Sequence, residues 1–172
     1  MVSDGRQRIL NAALELLDRH GYAAISLSEV RRAAGVSNGS LYHHFSGREQ
    51  LAAALLLDGL ARYQHGFRAL LDRPNAEAVI RAGVGYHLRF GVRHRALARF
   101  LLAPIEPEVL ASTGGALAAQ NREFLSDVHD WYEKQVAAGE LRAVEPALRY
   151  PLWLGASQET ARAWLTDRKS VV

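Results

Sequence analysis

The side chains best suited to binding chemistry lie together in one short segment near residue 40. Leu41 and Phe45 are four residues apart, so on a helix they share one face and can pack inward. Such a helix would leave hydrogen-bonding groups on its other faces, and the free N–H groups at its start could bind a phosphate. The hydroxyl, amide and imidazole groups of the segment, with one glycine, are those of Ser37, Asn38, Gly39, Ser40, Tyr42, His43 and His44.

Two further helices must hold that segment in place. Ser26 with Glu29 three residues on has the spacing of a capping box, and Gly35 suits the left-handed residue that follows a helix. Ser37 is then the N-cap of the polar helix, and the capping-box spacing recurs at Ser46, which opens a third helix. Two short helices joined by a glycine-containing turn form a helix-turn-helix, whose second helix enters the DNA major groove. The alternative, a solvated connector helix, is disfavoured because three closely spaced capped helices each carry an apolar face.

The same region resembles a known family. Residues 6 to about 57, with AAGVSNGSLYHHF at their centre, are similar to the DNA-binding domain of the TetR (tetracycline-repressor) family, over a little under a third of the chain. The resemblance implies an all-helical dimer that represses transcription until a ligand releases it. It also implies DNA contacts at matching positions, namely Ser26, Ser37, Asn38, Gly39, Ser40, Tyr42, His43 and Arg48.

One position in that segment departs from the family pattern. The family often has a basic residue where this chain has Asn38, and asparagine can instead read adenine through two hydrogen bonds. Base preference is therefore left open. His44 is interpreted as a partly buried linker residue. The predicted core of the segment consists of Val30, Ala34, Val36, Leu41 and Phe45.

Composition and charge set wider limits. The chain has 172 residues, of which 49% are hydrophobic and 23% charged, and no cysteine, which excludes disulfides, cysteine-ligated metals and thiol nucleophiles. The first residues lack the apolar region of a secretory signal, and the longest apolar run, 51–57, falls far short of a membrane span of about 18 residues. We therefore expect a cytoplasmic protein with no membrane partner.

The net charge of +3 is weak support for DNA binding. Residues 1–50 hold six arginines and five acidic residues, so this segment has a net charge of only +1 when its histidines are neutral. Placement is more informative than the total, because Arg31, Arg32 and Arg48 flank the proposed recognition helix. A single copy making few phosphate contacts would bind weakly, which favours a homodimer.

The remaining sequence predicts only helices, giving an all-α fold of about nine. We predict a helix-turn-helix DNA-binding domain at 1–47 and a helical ligand-binding and dimerisation domain at 48–172. Pro151 should kink the last helix or delay its start. The predicted helices span about 4–20, 27–34, 37–44, 48–71, 76–93, 95–103, 107–112, 116–138 and 146–166.

Two sets of residues are candidates for the second domain's functions. A ligand pocket among helices 4 to 8 would be lined by Tyr63, Phe67, Tyr86, His87, Phe90, Phe100 and Trp131, although core packing explains each of them singly. By resemblance, the last two long helices pair with a second copy; an intramolecular hairpin is the alternative. The predicted dimer contacts are Leu117, Asn121, Phe124, Val128, Trp131, Leu152, Ala156 and Ala163.

Rival classes of function have less support. The segment around Ser157 lacks the final glycine and the preceding strand of a nucleophile elbow. His43 and His44 are adjacent and diverge on a helix, so they cannot clasp a metal as histidines four apart do. We therefore predict no enzyme, no cofactor and no metal. The leading interpretation is a dimeric repressor released from a palindromic DNA operator by a small molecule; the alternatives are a helical adaptor or a ligand-independent DNA binder.

Overall fold

A computed structural model describes residues 4–22 and 25–166 of the chain. In those residues all regular structure is helical, in nine helices, which confirms the predicted all-α fold. The last helix, α9, runs continuously through three parts: Pro146–Tyr150, a π-helical turn at Pro151–Gly155, and Ala156–Thr166. The others are α1 Asp4–His20, α2 Leu27–Ala34, α3 Asn38–His44, α4 Arg48–Arg68, α5 Ala76–Arg93, α6 Arg95–Leu102, α7 Pro107–Ala111 and α8 Ala116–Ala137.

Local capping defines the α2–α3 unit. The Glu29 N–H donates to Ser26 Oγ at 3.2 Å, and the Ser26 N–H donates to the Glu29 carboxylate at 3.3 Å, so the predicted capping box is present. Gly35 ends α2 with φ of 63°, a left-handed conformation that side chains with a Cβ rarely adopt. Ser37 then caps α3, because its Oγ accepts a hydrogen bond from the Ser40 N–H at 3.1 Å. The turn is therefore set by sequence-local bonds.

The second predicted capping box, from Ser46 to Glu49, was wrong by one residue. Gly47 occupies the N-cap of α4, and its extended backbone (φ −160°, ψ 171°) carries no capping side chain. Gln50 is therefore the third residue of the helix, and its Oε1 accepts a hydrogen bond from the Ser46 N–H at 2.7 Å. Glu49 instead lies 3.6 Å from Arg48.

The first half of α4 completes the core formed with α1, α2 and α3. Ile9 and Val30 are fully buried there, and Leu41, Leu51 and Leu55 are at most 3% exposed. Each fully buried aliphatic side chain of this kind contributes about 1.5–3 kcal/mol relative to exposure. The α2–α3 unit is thus joined to α1 and α4 by a continuous apolar core.

The second half of α4 packs in a different core with α5, α8 and α9. Phe67 is 1% exposed, and its ring centroid lies 5.3 Å from that of Trp153 and 5.6 Å from that of Phe124. The Trp153 ring rests on α5, where a Cβ on Gly83 would lie 2.9 Å from it, and its Nε1–H donates to the Ile80 carbonyl at 3.1 Å. Gly83 is therefore needed for close packing of α9 on α5.

Proline disturbs α9 as the sequence predicted. Pro151 lacks the N–H that an α-helix would bond to the preceding turn, and the helix widens to a π turn over Pro151–Gly155 before returning to α geometry. That turn places Leu154 inward, at 4% exposure, and leaves Leu152 71% exposed.

Within 4–22 and 25–166, no helix combines the length and apolar character that crossing a bilayer requires.

Candidate nucleic-acid interface and internal cavities

Helix α3 has one buried face and one polar exposed face. Leu41 is 1% exposed and the adjacent Tyr42 is 58% exposed. Ser37, Asn38, Gly39 and His43 are also exposed on the outer side. The helix therefore presents amide, hydroxyl, phenol and imidazole groups to solvent while its apolar side chains fix its position.

Two predicted contacts of this set are less accessible. Ser40 is half-buried, and its Oγ would lie 3.4 Å from a Cβ on Gly5 of α1. His44 is also half-buried, as its interpretation as a linker residue required, and its ring centroid lies 5.1 Å from that of His43. The exposed face of α3 therefore includes fewer residues than the full set of its polar side chains.

The helix starts beside α3 supply the other predicted contacts. Ser26 is exposed at the start of α2, where its Oγ donates to the Glu29 carboxylate at 3.0 Å. Arg48 is half-buried at the start of α4, with its guanidinium 4.6 Å from the centroid of the Tyr22 ring. A guanidinium over an aromatic face is held in place yet keeps its charge. Arg48 is therefore a positioned cation beside α3.

The predicted apolar core of the unit is confirmed. Val30 is fully buried, Leu41 and Phe45 are at most 2% exposed, and Ala34 and Val36 are 8% exposed. Val36 lies in the turn, and its N–H donates to the Arg31 carbonyl at 3.3 Å. This core gives α3 a fixed orientation, which recognition of a DNA groove requires.

A large apolar cavity lies between α8 and α9, above α4 and α5. Its volume is about 570 Å³, within the range of small-molecule pockets. Its inner wall is aromatic, and its outer rim includes the exposed Leu125 and Leu152. Arg149 closes one end, where its guanidinium donates to Glu133 and contacts His129, each at 2.7 Å.

A second cavity of about 190 Å³ lies between α4, α5, α6 and α9. Tyr63 and Tyr150 line both cavities, so these two side chains form a shared wall. In the smaller cavity the Tyr63 hydroxyl lies 3.0 Å from His87 Nδ1. Burial raises the pKa of the Tyr63 phenol and lowers the pKa of His87, so both groups are uncharged near neutral pH.

The candidate ligand residues divide among these spaces. Tyr63, Phe67 and Trp131 line the large cavity, and His87 and Phe90 join Tyr63 in the smaller one. Tyr86 lies beneath them, donating to the Tyr63 carbonyl at 3.0 Å. Phe100 lies apart, in a space of about 130 Å³ between α1, α6 and α7.

Sequence reasoning missed most of the contribution of α9 to the large cavity. Arg149, Tyr150 and Trp153 line it, together with Leu154. Pro151 was the available signal in the sequence, because a proline inside a helix distorts the backbone and so changes how the neighbouring side chains pack. The periodic stripe inferred for α9 treated these residues as ordinary packing.

The predicted dimer residues also fall into two groups. Asn121 Oδ1 accepts a hydrogen bond from the buried Gln64 of the same chain at 2.9 Å, Phe124 packs on Phe67, and Trp131 is only 7% exposed. These three side chains therefore pack within their own chain. Leu117 and Val128 are half-buried, and Val128 packs against the same core as Phe67. Leu152, Ala156 and Ala163 are exposed on α9.

Comparison with known proteins agrees with this architecture. Residues 9–55 match the family model for bacterial regulatory proteins of the tetR family. The chain is 38% identical over 67 residues to the HTH-type transcriptional regulator UidR of Escherichia coli, a match covering 39% of this chain and 34% of UidR. It is 28% identical over 91 residues to the A-factor receptor protein of Streptomyces griseus, covering 53% and 31% of the two chains. These matches thus span only about a third of the relatives' length.

Solved structures resemble nearly the whole chain. The fatty acid degradation regulator FadR of Bacillus halodurans superposes with a TM-score of 0.80 at 18% identity, covering 96% of this chain and 86% of its own. FadR of Bacillus subtilis, solved with stearoyl-CoA, gives 0.77 at 18% identity, covering 92% and 86%. A TetR/AcrR-family regulator from Thermobifida fusca gives 0.70 at 26% identity, covering 99% and 90%.

The exposed α3 on its three-helix support places the chain in the class of helix-turn-helix proteins. The motif match, the sequence relatives and the shared helical fold narrow that class further. Residues 9–55 thus form a helix-turn-helix domain of the kind found in the tetR family of bacterial regulatory proteins, and the described fold resembles solved regulators of that family over nearly the whole chain.

Proposed function

We propose that the chain is a dimeric, sequence-specific transcriptional regulator that represses from a palindromic DNA operator until a small molecule binds. The observation that carries the proposal is the contrast between neighbouring residues of α3, with Leu41 buried in the core and Tyr42 exposed beside other polar groups. A solvated connector helix has no need for a fixed polar face of this kind. A recognition helix needs both the fixed support and the exposed donors.

The proposal gives each exposed group a role. Asn38, Tyr42 and His43 enter the major groove, where amides and rings meet base edges or backbone oxygens. Ser37 and Ser26 meet phosphates with the N–H groups at their helix starts, and Arg48 supplies a positive charge to the DNA backbone. The absence of a side chain at Gly39 lets the α3 backbone lie close to DNA.

Dimerisation would use the outer surfaces of α8 and α9. Leu125 is 59% exposed, Leu148 is 51% exposed and Leu152 is 71% exposed, with Ala156 and Ala163 on the same terminal helix. Exposed leucines of this number are unusual for a surface that faces water alone. A two-fold dimer sets two recognition helices about 34–36 Å apart, one DNA turn, and so fits a pseudo-palindrome.

Release by a ligand is supported by connections between cavity and DNA-binding unit. Helix α4 carries Tyr63 at the shared cavity wall and Arg48 at its DNA-facing start. Arg99 of α6 forms a second link, since its guanidinium donates to Asp18 of α1 at 2.7 Å and to the Leu165 carbonyl of α9 at 3.1 Å. A ligand that shifts α4 or α9 would move α3 from its half-site spacing. By linkage, that ligand must bind the DNA complex more weakly than the free protein.

The effector is a small molecule held in the cavities. The FadR structure that contains stearoyl-CoA supports ligand binding by this fold. A regulator of this kind acts on DNA in the cytoplasm and carries out no reaction of its own, so we propose no enzymatic activity and no cofactor.

Footprinting tests the proposal. The purified full chain is bound to DNA from immediately upstream of its own reading frame at two salt concentrations. We expect a protected, near-palindromic site whose occupancy falls steeply with salt, because several phosphates are neutralised. Protection that is uniform along the DNA would contradict sequence-specific recognition of this region. No protection at all would leave a helical adaptor or a regulator that acts at distant sites. A specific site that no effector releases would favour a ligand-independent DNA binder.

A further inference from the structure

A paired tyrosine and histidine give the smaller cavity a defined polar group. Tyr63 of α4 and His87 of α5 are joined at 3.0 Å through the phenol oxygen and Nδ1. The other ring nitrogen, Nε2, is buried and has no hydrogen-bond partner among residues 4–22 and 25–166. Leaving a buried ring nitrogen unpaired is costly, and His87 is a lining residue of the smaller cavity, so this group points to a ligand.

The pair fixes which nitrogen carries the proton. In the described part of the chain the Tyr63 hydroxyl has one hydrogen-bond partner, His87 Nδ1. If Nδ1 donated, the phenol proton would have no acceptor and Nε2 would also be unpaired. If the phenol donates, only the Nε2–H is left. The second arrangement leaves fewer unmet groups, so Nε2 carries the hydrogen and acts as a donor.

The described lining of the smaller cavity has no aspartate, glutamate, lysine or arginine, and its other polar side chains are Tyr150 and Gln158. The larger cavity likewise has no acidic residue in its described lining, although His129, Arg142 and Arg149 lie among its polar residues. Tyr63, Phe67 and Trp153 give the larger cavity aromatic walls. A buried cation would have no counter-charge there, and an apolar body fits the walls.

We infer that the effector is an apolar molecule ending in an uncharged hydrogen-bond acceptor, such as an ester, thioester or ketone carbonyl, bound by His87 Nε2–H. Its apolar part fills the aromatic cavity, and it passes between the shared side chains Tyr63 and Tyr150 to reach His87. This inference rests on the proposed function, because it names the chemical class of the ligand that relieves repression.

Binding of two probes with the same ten-carbon chain tests the inference. Methyl decanoate ends in a carbonyl acceptor, whereas decyltrimethylammonium ends in a cation that cannot accept. Binding to the full chain is followed by tryptophan fluorescence, since Trp131 and Trp153 line the large cavity. We expect the ester to bind at least about tenfold more tightly than the cation. Equal binding, tighter binding of the cation, or no binding of the ester would overturn the inference.

Variants at His87 separate a ligand contact from a structural role. His87→Phe removes the donor and should weaken ester binding about tenfold while leaving cation binding unchanged. His87→Gln restores an N–H near the Nε2 position and should recover most of the affinity. His65→Phe, at an exposed histidine of α4, is the matched control and should change neither.

Other outcomes are equally decisive. A His87→Phe variant that binds the ester as wild type does, or that loses both probes equally while keeping its thermal melt, would show that Nε2 makes no ligand contact. If His87→Phe fails to fold, the comparison of His87→Gln with wild type decides, and loss of ester binding there overturns the inference. Footprinting and selection from a random DNA library, both on the same preparation, keep the two questions apart. Specific DNA binding with failed ester binding refutes this inference alone, whereas recognition of no DNA sequence in either assay refutes the proposed function.

Discussion

Neighbouring residues of α3 should give opposite results when each is truncated to alanine. Leu41 is 1% exposed inside the helix-turn-helix core, and Tyr42 is 58% exposed on the other side of the same helix. Leu41→Ala removes buried methyl groups and should lower the free energy of unfolding by about 2–5 kcal/mol. Tyr42→Ala removes an exposed ring and should change that free energy by less than about 0.5 kcal/mol.

DNA affinity should follow the reverse order. One hydrogen bond from Tyr42 is worth about 1 kcal/mol, and a dimer contains two copies, so the loss is about 2 kcal/mol, or roughly thirtyfold in Kd. Leu41→Ala keeps the exposed face and should bind near wild type at temperatures where it stays folded. The operator found by footprinting is the ligand for this comparison.

Two measurements decide the comparison. Circular dichroism gives the thermal melt, in which each kcal/mol corresponds to about 2–4 °C for a chain of this size. Fluorescence anisotropy with the labelled operator gives Kd. A Tyr42→Ala variant that melts as early as Leu41→Ala, or that binds the operator as wild type does, would refute the assignment of α3 faces.

Three further predictions follow from the backbone and from buried polar groups. Gly35→Ala should lower the free energy of unfolding by about 1–2 kcal/mol in a denaturant titration, because φ is +63° at this position. Gly39→Ala should leave the thermal melt unchanged or raise it, and should weaken operator binding. Equal melts of the two variants would contradict the difference in backbone strain between the two glycines. Gln64→Leu should cost about 1–3 kcal/mol in the same titration, since Gln64 is 3% exposed and bonds Asn121; an unchanged midpoint would show the bond to be dispensable. Burial lowers the pKa of His87 in the folded state, so the contribution of His87 to stability is complete above pH ~6.5, the unfolded value, and is lost as the pH falls through the lowered folded-state pKa. His87→Gln should therefore flatten this part of the plot of melting temperature against pH. A profile parallel to that of the wild type would exclude His87 as the source of the pH dependence.

Short-range patterns in the sequence predicted the recognition unit well. Ser26, Ser37 and Gly35 act on backbone groups only a few residues away, so their spacing determines the turn directly. The core side chains of the unit follow from helical periodicity for the same reason. The capping of α4 failed as a prediction because glycine at position 47 competes for the N-cap, and spacing alone does not rank the two starts.

Long-range pairing explains what the sequence did not show. The stripe on α8 that includes Asn121 and Phe124 has the periodicity expected of a dimer interface, and an internal packing face has the same periodicity. Only the position of α4, with Gln64 and Phe67 opposite, shows that these side chains make contacts within their own chain. Likewise Tyr63 and His87 are 24 residues apart, and no local pattern joins them.

The boundary between the two domains illustrates the same limit. The prediction at residues 47 and 48 follows the start of α4, where the helix-turn-helix pattern ends. In the fold, Leu51 and Leu55 belong to the first core and Phe67 to the second, so α4 is shared by both. That sharing would give a physical basis to the proposed coupling of ligand binding to DNA release.

Selection from a random DNA library with the purified full chain is the most direct test of sequence-specific recognition by α3. We expect enrichment of one pseudo-palindrome with half-site centres about one helical turn, or a multiple of it, apart. Tyr42→Ala should enrich that sequence weakly or not at all. Enrichment of no sequence by the folded wild-type chain, or the same enrichment by Tyr42→Ala, would contradict recognition of DNA by α3.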